Sequence, residues 1–208
     1  MFYLKLALMI LFQPQQAFVL IKRRRKTMPA FVPILLFLLA LGVNILMVYL
    51  THFPLADKTP ENTNLLEIVF SFLLPLLSMV GGIYLVTTIR DGETTFYETF
   101  AAIAYCLTPY ILCTPLIGLL SRILSANEVG LYQTLNTLVF LWCAILAIYS
   151  VSAMNTYSFS QTIGNCVLAV LAVLFLWAML ILLYLLGEKL FGFFAEVFEE
   201  YRLMRISA

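Results

Sequence analysis

Between Glu128 and Glu188 the chain carries no Asp, Glu, Lys or Arg, from Val129 through Gly187. A helix needs about 20 apolar residues, and rarely more than about 25, to cross the roughly 30 Å hydrocarbon layer of a bilayer. The gap is therefore too long for one span and long enough for two. The polar stretch MNTYSFSQT at 154–162 divides it, which places spans at 131–153 and 163–186. Whatever else the chain does, it is expected to cross a membrane repeatedly.

The rest of the sequence agrees. Of 208 residues, 63% are hydrophobic and 11% charged, against about 25% charged in soluble domains. No charge occurs from Thr27 through Ala56, which sets a first span at 29–50, with Asn44 turned toward other helices. A second span at 67–89 carries Pro75, then Ser78 and Gly82 at small-xxx-small spacing with Gly81 beside them. Such spacing lets two helices approach closely, within this bundle or across a dimer. A third span at 99–124 holds Tyr105, Pro109 and Pro115. Its prolines free backbone carbonyls that need partners inside the membrane, and Thr108 and Thr114, each directly before a proline, are placed to supply hydroxyls. The expected fold is all-α, a polytopic membrane protein with five transmembrane helices and an interfacial amphipathic helix at each end. Four-span and six-span counts are the alternatives.

Three regions follow: 1–28, two short interfacial helices and a basic cluster; 29–186, the five-span domain; and 187–208, an amphipathic in-plane helix. Residues 1–12 are too few to span, and Pro14 suits the first turn of a second short helix. In the last region Leu190, Phe194, Val197, Tyr201 and Met204 form an apolar stripe opposite Glu196, Glu199 and Glu200. The cluster Lys22, Arg23, Arg24, Arg25 and Lys26 fixes orientation by the positive-inside rule, or recognises anionic lipid or an acidic partner. The first reading puts the N-terminus in the cytoplasm and, after five spans, the C-terminus outside a cell membrane.

Net charge is +1, so the chain does not advertise a nucleic-acid partner. Cys106, Cys113, Cys143 and Cys166 form no C-x-x-C pair, and His52 is the only histidine, so neither metal nor cofactor is expected. The cores of the spans lack Asp, Glu, His and Lys, the residues of proton relays and ion sites. No catalytic set emerges. The expected function is that of a non-catalytic adaptor or accessory subunit in a membrane complex, its partner another membrane protein or a second copy; the alternative is a transporter, channel or lipid-translocating protein. The favoured interaction surface is the turn that displays Arg90, Asp91, Gly92, Glu93 and Glu98, with Pro75, Gly81, Gly82, Tyr105, Pro109 and Pro115 shaping the helices behind it.

Several of these residues also resemble a known family. Gln13-Pro14-Gln15-Gln16-Ala17-Phe18 followed by Ile21-Lys22, the third-span run Ala104-Tyr105-Cys106-Leu107-Thr108-Pro109 with Pro115 beyond, and Gly92 before that helix are similar to the YIP family, the Ypt/Rab-interacting membrane proteins and their prokaryotic relatives. The resemblance implies five spans, a cytoplasmic N-terminus and a short outer C-terminus. Eukaryotic members carry a long cytosolic region before the first span, whereas here that span starts already at Pro29, and their Asp-Leu-Tyr-Gly-Pro motif is missing. The chain therefore looks like a bacterial member, and Rab binding is not carried over.

Overall fold

The computed structural model describes residues 2–24, 29, 31–52, 55 and 63–207, with side chains placed at 5–24, 29, 31–52, 55, 63–125 and 127–194. Every long element is a helix: α1 Phe2–Phe12, α2 Pro14–Arg23, α3 Phe31–Leu50, α4 Leu65–Ile89, α5 Phe96–Cys106, α6 Thr108–Leu120, α7 Val129–Asn155 and α8 Phe159–Ser207. Among the described residues five stretches are long and apolar enough to cross a bilayer, α5 and α6 together making the third.

The third span is the axis of the bundle. Of its most apolar window 61% is buried, against 6% for the fifth span, and all residues from Ala101 to Tyr110 are buried. Its irregularity has a local cause. Pro109 has no N–H to give the carbonyl four residues back, and the helix breaks at Leu107, held at φ −77°, ψ −1°. The carbonyl that loses this donor is that of Tyr105; it accepts instead from a backbone N–H of the helix cap and from the Thr108 hydroxyl at 2.6 Å. Thr114, expected to play the same part for Pro115, instead has a buried hydroxyl with no hydrogen-bond partner among the described residues. Helices α4 and α6 run on through Pro75 and Pro115 without interruption.

Around this axis the helices meet through small or polar residues. On α4, Gly82 abuts α8 so closely that an added Cβ would lie 2.5 Å from Val173 and 3.0 Å from the Ala169 carbonyl. One turn away Trp177 Nε1 donates to Ser78 Oγ at 3.1 Å. The Ser78/Gly82 pair thus serves packing within the bundle, whereas Gly81 faces nothing within 4 Å. Asn44 on α3 donates to the Tyr110 hydroxyl at 3.1 Å, an interhelical contact of the kind its position predicts.

Both ends add something to the sequence reading. Beyond any role at the membrane surface, α1 and α2 share a core with the bundle. Leu6, Ile10, Ala17, Phe18 and Ile21 are each at most 2% exposed and pack with Ala102, Tyr105, Cys106, Leu146 and Met154 of α5 and α7. At the other end no break separates a C-terminal helix at 187: α8 continues unbroken from Phe159 to Ser207. The side chains of Val197, Tyr201, Met204 and the three glutamates lie outside the described set. So does the whole of Arg25 and Lys26.

Candidate interaction site at one end of the bundle

The α4–α5 connection is built to a defined shape. Asp91 takes φ 54°, a left-handed conformation that Asp tolerates better than most residues. Gly92 follows, its N–H donating to the Thr87 carbonyl at 2.7 Å. No side chain fits at 92: a Cβ there would stand 2.6 Å from Asn155 Oδ1 and 2.7 Å from both the Thr87 carbonyl and the Tyr157 hydroxyl. Helix α5 then starts with a capping box. Thr95 Oγ1 accepts from the Glu98 N–H at 3.4 Å, and the Glu98 carboxylate accepts from the Thr95 N–H at 2.8 Å, satisfying two donors that a helix start leaves open.

Glu98 is therefore not on display. It is 4% exposed and acts as a helix cap, which corrects its expected place on the turn surface. Thr95-x-x-Glu98 is a capping-box signature readable from the sequence.

The turn is fastened to the α7–α8 connection, 61 to 70 residues further along. Asn155 Oδ1 accepts from the Thr94 hydroxyl at 2.9 Å and from the Thr94 N–H at 3.3 Å. Its Nδ2 donates to the Val151 carbonyl at 3.1 Å. The Tyr157 hydroxyl donates to the Arg90 carbonyl at 3.0 Å and lies 3.3 Å from that of Thr87. Partial burial, and secondarily the Asp91 carboxylate nearby, push the Tyr157 phenol above its ordinary range. Thr156, between the two, sits at φ 57°. Asn155 and Tyr157 were not among the sequence candidates. Their polar setting in 154–162 was visible, their partners were not.

A third element joins from the N-terminal helices. Lys22, at the end of α2, pairs with Glu93 at 2.5 Å. The basic cluster and the turn, two separate features in the sequence, thus meet at one end of the bundle. Arg23 and Arg24 are exposed there, as are Arg90 and Asp91. The remaining sequence candidates sit elsewhere. Tyr105 and Pro109 are fully buried in the axis, and Pro115 is half-buried. Pro75 lines a lateral groove of about 560 Å³ with Asn44, Leu107, Tyr110, Phe140 and Cys143. Among the described residues no three His, Cys, Asp or Glu side chains gather as metal ligands.

No curated protein and no solved structure matches the chain. A family model, the Yip1 domain, matches residues 8–181. That stretch runs from the N-terminal helices through the turn network into the free part of α8, so most of the architecture described above lies within it. The chain is a multi-span membrane protein and belongs to the Yip1-domain family.

Proposed function

We propose that the protein is a non-catalytic adaptor or accessory subunit whose partner docks on the end of the bundle formed by α2, the α4–α5 turn and the α7–α8 turn. The observation that carries this reading is the convergence of three chain segments on a surface that is exposed and fixed in shape. Lys22–Glu93, Asn155–Thr94 and Tyr157–Arg90 tie the segments together, while Arg90, Asp91, Arg23 and Arg24 stay exposed. A preorganised surface gives up little conformational freedom on binding. The mixed charge suits a partner that presents both signs, since complementary charge sets specificity and encounter rate. In this reading the basic residues keep that end cytoplasmic in a cell membrane, and no reaction is catalysed.

The test is partner recovery after crosslinking in native membranes. Arg90→Ala with Asp91→Asn, which keeps a residue suited to the left-handed backbone at 91, is expected to leave expression and detergent stability within about 0.5 kcal/mol, as exposed changes usually do, and to weaken recovery of the partner. Undiminished recovery would remove the turn as the docking site. The lateral groove at Pro75 and the Leu107 break favours a second reading, a lipid-handling or transport protein, because interrupted helices build sites near the midplane. Solute or lipid flux in liposomes holding the purified protein is the observation that would favour it over the adaptor.

A further inference from the structure

The outer part of α8 is largely uncovered as far as its side chains are described. It leaves α4 after Trp177, and from Leu174 to Phe194 every residue except the half-buried Gly187 is exposed. The whole helix has 49 residues, so at 1.5 Å per residue it is about 73 Å long. A bilayer with its headgroups is only ~40–45 Å thick, so roughly 30 Å of α8 extends past it. An isolated helix in water is marginal. This one also carries Leu190, Phe191, Phe193 and Phe194 largely exposed in its last described turns, an apolar load that water does not favour.

The sequence of this segment has a 3.5-residue period. Leu180, Leu183, Gly187, Leu190, Phe194, Val197, Tyr201 and Met204 alternate at spacings of three and four, the a and d positions of three successive heptads and part of a fourth. The four of these with described apolar side chains, Leu180, Leu183, Leu190 and Phe194, are 49–56% exposed, so this part of the stripe is left uncovered by the described residues. At Gly187 an added Cβ would meet nothing within 4 Å. All seven charged residues from Glu188 to Arg205 fall off the stripe. In the same register Glu200 occupies a g position and Arg205 the e position five residues on, the opposite-charge arrangement that pairs neighbouring strands of a parallel coiled coil. Copies of one membrane protein share one orientation in the bilayer, so a symmetric pair turns about the membrane normal and its α8 helices must run parallel.

We propose that the protruding part of α8 pairs with the same segment of a second copy as a parallel coiled coil, with Leu190 and Phe194 in the seam. This surface is at the C-terminal reach of α8, separate from the turn network, and does not depend on the adaptor reading. The test is cysteine scanning of the full chain in native membranes, with Cys106, Cys113, Cys143 and Cys166 replaced by alanine. Single cysteines at Leu190, Phe194 and Val197 are expected to form disulfide-linked dimers at least tenfold more efficiently than cysteines at Gly192 or Glu199. In the Phe194→Cys background, Glu200→Lys is expected to reduce crosslinking several-fold, and adding Arg205→Glu to restore it. Crosslinking that is absent, or that ignores the three-and-four spacing, overturns the proposal, as does failure of the charge swap to restore pairing. Labelling of positions 190 and 194 from within the lipid, with no dimer formed, overturns it in favour of an in-plane helix.

Discussion

Replacing Gly92 with alanine probes the turn network at its tightest point. The backbone there is not in the left-handed region, since no glycine has positive φ; alanine is therefore conformationally acceptable and only its Cβ is at issue. That atom would lie 2.6 Å from Asn155 Oδ1, 2.7 Å from the Tyr157 hydroxyl and 2.7 Å from the Thr87 carbonyl, closer than atoms can sit without something moving. Displacing the two side chains endangers the bonds from Asn155 to Thr94 and from Tyr157 to Arg90. Moving Gly92 itself strains its own bond to Thr87. With two or three hydrogen bonds weakened at roughly 0.5–1.5 kcal/mol each, the expected loss is about 1–4 kcal/mol. Reversible unfolding of the purified protein in mixed detergent micelles measures it. Two of the three clashing atoms belong to side chains and one to backbone, so relief is expected to be partial. In a cycle with Asn155→Ala and Tyr157→Phe, the Gly92→Ala penalty should fall by about 1–2 kcal/mol without vanishing, the coupling expected of residues in contact. A penalty under about 0.5 kcal/mol, the range of ordinary surface changes, would refute the reasoning, as would strict additivity across the cycle.

Three further outcomes follow from the bundle. Thr108→Val should cost about 1 kcal/mol by removing one of the two donors to the Tyr105 carbonyl, and less in a Pro109→Ala background, where the backbone N–H four residues on is restored; equal costs in both backgrounds, read from the same unfolding curves, would contradict the account of the helix break. Gly82→Val should destabilise by more than about 2 kcal/mol, because the Ala169 carbonyl is backbone and cannot step aside, the typical overpacking range being roughly 1–3 kcal/mol; Gly81→Val should stay within about 0.5 kcal/mol, and thermal aggregation of the two variants distinguishes them. Single cysteines at Ser160 and Ser207, in a background without the native four, should label oppositely with an impermeant reagent in intact cells, Ser207 reacting and Ser160 protected; equal or reversed labelling contradicts the orientation.

How much of this was legible in the sequence depends on range. The five spans and the polar break at 154–162 follow from hydropathy averaged over the length of one span. The disturbance of the third span follows from Pro109 alone, because proline acts on a carbonyl one helical turn away. The close approach at Gly82 was visible as a small-residue spacing, although only the structure shows that α8 is what approaches. The network at the turn was not legible. Asn155 and Tyr157 act on Thr94 and Arg90 from a distant part of the chain, and no local pattern encodes such a separation. Glu98 was misplaced for the opposite reason: its partner Thr95 is within the same helical turn, and the local capping signature outweighs the charge that suggested display. Lys22 and Glu93 were each noted for charge, but charge alone does not say which of the basic and acidic residues will meet.

The buried N-terminal helices have a consequence for the order in which the protein is made. Leu6, Ile10 and Phe18 are synthesised well before Met154, which packs with them and belongs to α7, far behind them in the chain. At roughly 5–20 residues per second, the wait is on the order of 10 s, during which their apolar faces lack the α7 part of their final cover. The bilayer surface is the natural place to spend it, since short amphipathic helices rest there. Helices that end in the core are thus expected to begin on the lipid, and α7, when it arrives, to capture them.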